Sequence, residues 1–481
     1  MFKDSEIATK FSSGRTKSTA LVKNVLAPHS VQVAVAAVEN TSSYGVATDA
    51  SNHGSQKIFP LVVQYFCKDK GIQSKILKVD SLPNETSDTI AQFCSDTLKA
   101  LNIPGTNCRA FCGDNANTNF GGVNRRSTNN VYSKLKAELN ANMEGVGCPA
   151  HILHNTMQTA ADQLTCDVEV IVVKLFNYFS IYTVRTERLK DFCDFVETEY
   201  KTLLSHSKTR WLSLFPAVER ILKLFEALKS FFGSEEKPPK VLIDFFNHPL
   251  SEAYLFFVHN QLSVFQKQIL KVEGATNSII EVAAVLDETI SILKSRKDLN
   301  FLGLNVKSVL RRDEVTQEMV KTFSEETSEF YSTCCEYLKK WTESLQTFKV
   351  FSWMTLNTIP DWDDVEATCI YLQAKGFDID DTKLVDQFTA IKAVIEKDVG
   401  TSDWRQKQCH EKWVIIFQQM EYSIQYSELL KICEYVFSIP AHNGNVERVF
   451  SLMGIQWTEE RNRLELPTVE AILQCHYNFG K

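Results

Sequence analysis

The chain has 481 residues, of which 44% are hydrophobic and 31 are Phe. It is therefore long enough to bury a large core, and this composition excludes a disordered chain. Its formal net charge of −7 argues against strong DNA affinity through a general excess of basic residues. The 13 Cys are an odd number and are spread along the chain, which is typical of reduced thiols in an intracellular protein. No apolar run approaches membrane-spanning length, so we expect a soluble protein with no membrane partner.

The first part of the chain predicts one α/β region. Residues 1–40 are polar and mixed, which predicts an N-terminal helical lead-in. Beyond them, apolar runs of strand length surround one segment with helical spacing. The predicted elements are strands at 44–49, 57–67, 74–79 and 108–114, and a helix at 86–101. Three antiparallel strands, a helix and a returning strand fit the opening order of an RNase H-like fold, although periodicity does not single that fold out.

The rest of the chain is almost wholly helical in its pattern. From Cys148 onward, Leu, Phe and Ile recur every three or four residues, with breaks at 233–240 and 358–364. We predict an RNase H-like mixed sheet in an α/β fold, interrupted by a large all-helical insertion domain. The predicted segments are 41–212 for the first part of the sheet domain, 213–430 for the insertion and 431–481 for the C-terminal part.

Three carboxylates are candidates for chemistry. Asp49 and Asp114 each end a predicted strand, and Glu447 lies in the first turn of a predicted helix whose buried face includes Val446 and Val449. Phosphoryl transfer on DNA needs divalent metal ions held by carboxylates, and Mg²⁺ prefers such oxygen ligands. The alternative is structural, because an Asp at a strand end often forms a turn, and the dipole of a helix favours Glu in its first turn.

Five sequence blocks occur in a fixed order and together span most of the chain. They are Thr48-Asp49-Ala50-Ser51, Gly113 to Gly122, Gly147-Cys148-Pro149-Ala150-His151, Lys208-Thr209-Arg210-Trp211, and Glu447-Arg448-Val449-Phe450-Ser451 running on to Leu464. The last block resembles the C-terminal signature of the hAT superfamily of DNA transposases, and the other four are similar to hAT motifs in the family's order.

The resemblance assigns roles to individual residues. Asp49, Asp114 and Glu447 would be the catalytic carboxylates and would bind Mg²⁺ or Mn²⁺. Cys148 and His151 would line the pocket; their spacing also suggests zinc, but no second Cys/His pair at finger spacing is near, so we predict no zinc.

One aromatic residue is a candidate for contact with DNA. By the resemblance, Trp211 would stack on a flipped DNA base. The alternative is that Trp211 opens a helix and belongs to the core.

The resemblance also implies self-association, at least as a dimer, through the C-terminal region. Pro467 suits the first turn of a helix there, and the apolar stripe that follows fits either a partner surface or packing on its own domain. The candidate dimerisation residues are Val449, Phe450, Arg461, Leu464, Val469, Ile472 and Leu473.

The sequence departs from active hAT members at its start. Those members carry an N-terminal BED zinc finger, and no such Cys/His pairs precede Cys67. We therefore expect a hAT-derived nuclear protein that self-associates and binds nucleic acid weakly, with a metal-dependent strand-transfer site that can be vestigial. One alternative is a non-catalytic protein-interaction or transcription-regulating factor. Another is a scaffold whose carboxylates only cap helices.

Overall fold

The structure is a computed structural model that describes residues 14–122, 127–205, 213–420, 426–461 and 463–480. The chain forms two compact units. The first, the sheet unit, combines Met1–Cys148, Glu273–Ala283 and Ser344–Lys481; the second, the helical unit, combines Pro149–Val272 and Ala284–Glu343.

These boundaries differ from the predicted insertion at 213–430. The helical unit starts at Pro149, and the helices after Ser344 belong to the sheet unit. Helical periodicity shows that a helix has one apolar face, but it does not show which unit covers that face. An α/β architecture with a mixed sheet and a large helical part is present, as predicted.

The sheet unit contains one six-stranded sheet. The predicted strands at 44–49, 57–67, 74–79 and 108–114 are all present, and two short strands, β2 and β6, were not predicted. The strands are β1 (Tyr44–Thr48), β2 (Ser51–His53), β3 (Gln56–Cys67), β4 (Gly71–Ser81), β5 (Cys108–Gly113) and β6 (Glu144–Gly147).

Helices occupy most of the remaining sheet unit. A helical lead-in comprises α1 (Arg15–Leu21), a π-helical turn (Val22–Leu26) and α2 (Ala27–Glu39). Between β4 and β6 lie α3 (Ser87–Ala100), α4 (Asn117–Phe120) and α5 (Val131–Glu138). After residue 344 come α16 (Trp362–Ala374), α17 (Asp381–Asp398), α18 (Ser402–Gln406), α19 (Cys409–Met420), α20 (Ser427–Ser438), α21 (Gly444–Gln456) and α22 (Leu466–Phe479).

The helical unit is built around long helices with an aromatic core. Phe257 contacts Phe330 and Tyr331 edge-on, and the hydroxyl of Tyr331 accepts a hydrogen bond from buried Gln261. The helices from residue 149 to 343 are α6 (Pro149–Ala161), α7 (Val168–Ile181), α8 (Thr183–Phe195), α9 (Leu214–Lys223), α10 (Phe225–Ser234), α11 (Lys240–Asn247), α12 (Ser251–Val272), α13 (Ile279–Asp298, its start in the sheet unit), α14 (Leu304–Val309) and α15 (Gln317–Thr342).

The sheet order is β4-β3-β1-β5-β6. β1 pairs antiparallel with β3, and β3 with β4. β5 runs parallel to β1, and β6 parallel to β5. β2 lies on the same side of β3 as β1, because Ile58 pairs with Ser51 on that side and with Ser81 of β4 on the other. The carboxyl ends of β1, β5 and β6 therefore meet at one edge of the sheet.

Both faces of the sheet are covered. On one face, Val46 and Phe111 pack in a core with Ile90, Phe93 and Leu98 of α3, whose first turn is capped by Thr86 as the predicted helix requires. The other face receives the C-terminal end of α20. Buried Gln64 of β3 donates hydrogen bonds to the carbonyls of Phe437 (3.0 Å) and Ile439 (3.1 Å). This contact fixes the segment that leads into α21.

The terminal helix α22 closes the edge of the sheet. One polar stripe, Glu470, Gln474 and Asn478, faces the open side of β4 at four-residue spacing. Asn478 accepts a hydrogen bond from the Ile76 amide and donates to the Ile76 carbonyl, while Gln474 donates to the Leu77 carbonyl. Side chains thus pair the backbone groups that an edge strand otherwise leaves open to another chain.

The helical lead-in differs from the sequence expectation about membranes. The continuous helical stretch 15–39 is long and apolar enough, by length and composition, to cross a membrane. In this fold it packs on α22, where Asn478 donates a hydrogen bond to Ser30 (3.3 Å). Ala27, Val31, Ala34 and Val38 form its buried face.

Candidate functional site

Asp49 and Asp114 follow the carboxyl ends of two adjacent parallel strands. Ala47 of β1 pairs with Cys112 of β5, and each aspartate lies two residues beyond its member of that pair. Parallel pairing at this register brings the two carboxylates to the same edge of the sheet. The two predicted site residues therefore occupy neighbouring positions just beyond the ends of adjacent strands.

The Asp114 carboxylate is organised by its own loop. Its Oδ1 accepts hydrogen bonds from the Ala116 amide (3.0 Å) and from the Asn119 side chain (2.6 Å). These donors hold the side chain in one orientation at the start of α4. The same arrangement is found in helix caps. It would equally hold a metal-binding carboxylate in a fixed orientation.

Glu447 lies in the first turn of α21, as predicted. Val446, Val449 and Met453 form the buried side of this helix, while Glu447 and Phe450 are half-buried. The far end of α21 is also held in place, because Trp457 stacks on His53 of β2 at a ring-centroid distance of 3.8 Å.

Asn443 connects the two parts of the site, and sequence reasoning did not find it. Its side-chain amide donates a hydrogen bond to Asp49 Oδ2 at 2.8 Å. Its main-chain carbonyl accepts a hydrogen bond from the Glu447 amide at 3.1 Å. This bond joins Asn443 to the first turn of α21. One fully buried residue thus orients one carboxylate and begins the helix that carries another. The only sequence signal was its place four residues before Glu447.

The side-chain carbonyl oxygen of Asn443, Oδ1, has an unusual environment. Because a carboxylate only accepts hydrogen bonds from such an amide, Nδ2 faces Asp49 and Oδ1 points away from that contact. This Oδ1 is buried and has no hydrogen-bond partner among the residues that the structure describes. A buried carbonyl oxygen normally accepts a hydrogen bond, so this atom is one of the few unsatisfied polar side-chain atoms near the carboxylates.

A buried histidine forms the turn before α21. His442 Nδ1 accepts a hydrogen bond from the Gly444 amide (2.9 Å), and Nε2 donates to the Gly274 carbonyl (2.7 Å). Burial lowers the pKa of His442 to about 4, against the raising effect of the Gly274 hydrogen bond and with help from the nearby Arg448 cation. His442 is therefore neutral at physiological pH and fixes the turn.

A second contact holds the same helix end to β4. Asn445 donates a hydrogen bond to Ser74 Oγ (3.0 Å) and accepts one from Arg448 (2.6 Å). The first turn of α21 is thus held to β1 by Asn443 and to β4 by Asn445. Glu447 has a defined place relative to the sheet edge.

The carboxylates do not form a ready three-ligand cluster. Within the described ranges, no three His, Cys, Asp or Glu side chains lie close enough together to hold one metal ion. Asp49 and Asp114 share the sheet edge, and Glu447 lies one helical turn from Asn443. The structure thus places Asp49 and Asp114 after adjacent strand ends, Asn443 on Asp49, and Glu447 in the first turn of α21.

The predicted pocket residues Cys148 and His151 lie in different units of the protein. Cys148 is buried at the end of β6, and its amide donates to the Gly113 carbonyl, next to Asp114. Its carbonyl accepts from Asn115, which follows Asp114. His151 lies in the first turn of α6 in the helical unit. Trp211 and its Lys208-Thr209-Arg210 neighbours lie outside the described residues.

The predicted dimerisation residues divide by exposure. Val449, Val469 and Leu473 are buried inside the protomer. Ile472, Leu464 and Phe450 are half-buried, and Arg461 is exposed and donates to the Gln456 side chain. The apolar stripe of α22 therefore packs on its own unit, which was the alternative interpretation of that stripe.

Two family models match the chain. Residues 398–479 match the hAT family C-terminal dimerisation region, which includes all of α21 and α22. Residues 148–287 match the FAM200/GTF2IRD2 helical domain, which begins next to the first residue of the helical unit. No curated protein matches the chain.

These two matches are consistent with a hAT-like, transposase-derived protein, and the predicted resemblance to hAT proteins is confirmed. The match to the hAT C-terminal dimerisation region over residues 398–479 supports self-association of this chain.

Proposed function

We propose that the sheet unit is an RNase H-like domain. The order β4-β3-β1-β5-β6 supports this fold, since three antiparallel neighbours are followed by two strands parallel to β1. The placement of α3 between β4 and β5 in the chain also fits. Candidate carboxylates follow β1 and β5, at an edge where the side chains of adjacent parallel strands come together.

The function that this geometry supports best is metal-dependent action on nucleic acid by a nuclear, self-associating, transposase-derived protein. The observation that carries it is the chain of contacts at the sheet edge. Asp49 and Asp114 lie on adjacent strand ends, and buried Asn443 joins Asp49 to the helix of Glu447.

The roles within the site follow from the contacts. Bound Mg²⁺ or Mn²⁺ would activate the attacking oxygen and stabilise the leaving oxygen of a phosphodiester. Asp49, Asp114 and Glu447 would hold the ion, and the Ala116 and Asn119 donors would keep Asp114 oriented. Asn443 would orient Asp49. Nucleic acid would be the substrate, and the acidic net charge predicts weak binding.

Replacing Asp114 by Asn tests the metal site. We expect Asp114→Asn to weaken Mn²⁺ binding by about 10-fold or more and to abolish Mn²⁺-dependent nicking of a supercoiled plasmid, because the ion loses a charged ligand. Binding is measured by isothermal titration calorimetry, which does not require turnover. Asp313→Asn, an exposed change in the helical unit, is the control and should match wild type. Equal Mn²⁺ affinity in Asp114→Asn and wild type would contradict the proposal.

Asn443 gives a second test of the same site. We expect Asn443→Ala to weaken Mn²⁺ affinity by about 10- to 100-fold, since Asp49 loses the donor that orients it, whereas the main-chain bond to Glu447 remains. The matched control is Asn445→Ala, which removes a contact at the same helix end without touching Asp49. If both variants lose the same affinity, Asn443 acts only through the position of the helix.

One observation favours a second function, a non-catalytic interaction or transcription-regulating factor. Asp114 Oδ1 is already engaged by two donors of its own loop, and the three carboxylates do not form a compact cluster in the described part of the chain. A folded, self-associating wild type with no measurable Mn²⁺ binding would select this function.

A further inference from the structure

The N-terminal helical stretch 15–39 has an exposed surface without charge. Between Lys23 and Glu39 the chain carries no charged side chain. Several large apolar residues there are nonetheless open to solvent, including Val25 (53% exposed) and Val33 (50% exposed). A surface helix normally places charged residues on its outer side. The lead-in therefore has one apolar face inside the fold and a second one outside it.

This outer surface is continuous with the C-terminal region. Phe479, at the end of α22, is half-exposed and its ring lies 6.1 Å from the ring of His29. Lys17 and Lys23 lie at one end of the patch and Glu39 at the other, which resembles an apolar centre with a polar rim. We name this surface the lead-in patch. Its exposed residues are Leu21, Val25, Leu26, His29, Val33 and Phe479.

The matched dimerisation region exposes little apolar surface of its own. The apolar residues Val469 and Leu473 of α22 are buried, and its polar stripe is used on β4. The large hydrophobic side chains most exposed on the described helices of that region are Ile455 of α21 and Phe479 of α22. Phe479 is continuous with a larger apolar surface, which the lead-in helix supplies.

We propose that the lead-in patch is the surface on which a second copy of this chain docks. The proposal rests on the self-association that the C-terminal region supports, and it places the contact on the helix that packs against that region. A second copy fits better than a lipid surface, because the helix packs on the C-terminal region whose family match supports self-association. Spanning a membrane would require breaking the contacts of its buried inner face, including the bond to Asn478.

Removing the C-terminal helix is a poor test, since the loss of α22 would also open the edge of β4. Exposed residues give a sharper experiment. We expect the double variant Val25→Asp, Leu26→Asp to raise the dimer dissociation constant by about 100-fold or more, because two charges would enter an apolar centre. Sedimentation velocity of the full chain measures this, and circular dichroism checks that the variant is folded.

Two control variants make the outcome specific. Ile370→Asp changes an equally exposed residue on α16 and should leave the dissociation constant unchanged. Ile455→Asp changes the other exposed apolar residue of the matched region. If Ile455→Asp dissociates the protein while the double variant does not, the contact lies on α21 and the proposal is wrong.

Other outcomes separate this proposal from the function itself. A monomeric wild type would contradict self-association as a whole. An unchanged dimer in the folded double variant would contradict only the assignment of the contact to the lead-in patch. Flotation with vesicles of phosphatidylcholine and phosphatidylserine tests the lipid alternative. Wild type that floats with the vesicles through Val25 and Leu26 would overturn the proposal, because the patch would then meet lipid.

Discussion

Gly45→Ala is expected to destabilise the protein by about 3 kcal/mol, because a Cβ at this position of β1 has no room. It would lie 2.5 Å from the Ser438 carbonyl oxygen and 2.5 Å from Pro440 Cδ. The segment from 438 to 440 leads directly into α21, so relief of the clash would move the helix that carries Glu447. The expected result is a lower midpoint of unfolding in urea. Tryptophan fluorescence measures this midpoint.

A second glycine provides the control for this substitution. Gly454 lies in α21 of the same unit, and a Cβ there would meet no atom within 4 Å. Gly454→Ala should therefore stabilise the protein by up to about 1 kcal/mol through helix propensity alone. Equal midpoints for Gly45→Ala and wild type would show that the 438–440 segment does not approach β1 as closely as described.

His442→Ala is expected to cost about 3 kcal/mol at pH 7.5. The variant leaves the Gly444 amide and the Gly274 carbonyl without their buried partners and also leaves a cavity. Because the turn positions α21, we expect the loss in the free energy of unfolding to be accompanied by weaker Mn²⁺ binding. A variant as stable as wild type would contradict this role of the imidazole.

The same residue predicts a pH dependence with a definite sign. In the unfolded chain His442 takes up a proton near its ordinary pKa of about 6.5, whereas burial holds the folded pKa at about 4. The unfolded state thus binds more protons between these values, so stability is complete above pH 6.5 and falls as the pH falls toward 4. The difference in stability between wild type and His442→Ala should shrink by about 3 kcal/mol over this range. Urea unfolding at several pH values measures it, and a constant difference would mean that His442 does not titrate in this way.

Much of the sheet unit could be predicted from local pattern. Runs of apolar residues located four of the six strands, and the spacing of Ile90, Phe93 and Leu98 located α3. The two strands that were missed, Ser51–His53 and Glu144–Gly147, are short and carry little apolar pattern. They form because their backbone groups pair with those of β3 and β5, and this pairing depends on the folded structure.

The boundaries of the units could not be obtained in this way. A helix with one apolar face has the same pattern whether a sheet or other helices cover it. The helices from 362 to 420 therefore looked like part of the insertion, although they belong to the sheet unit.

The sequence alone determined the candidate carboxylates and the family, because motif order and strand ends are local features that survive without coordinates. Only the tertiary structure decided that Asn443 links Asp49 to the helix of Glu447, that α22 closes the edge of β4, and that an apolar face of the lead-in remains outside the fold. The first two findings join residues hundreds of positions apart in the chain. The third depends on which face of the lead-in helix is covered by the rest of the protein. Hydrogen-bond partners and burial are properties of packing, and a linear pattern does not contain them.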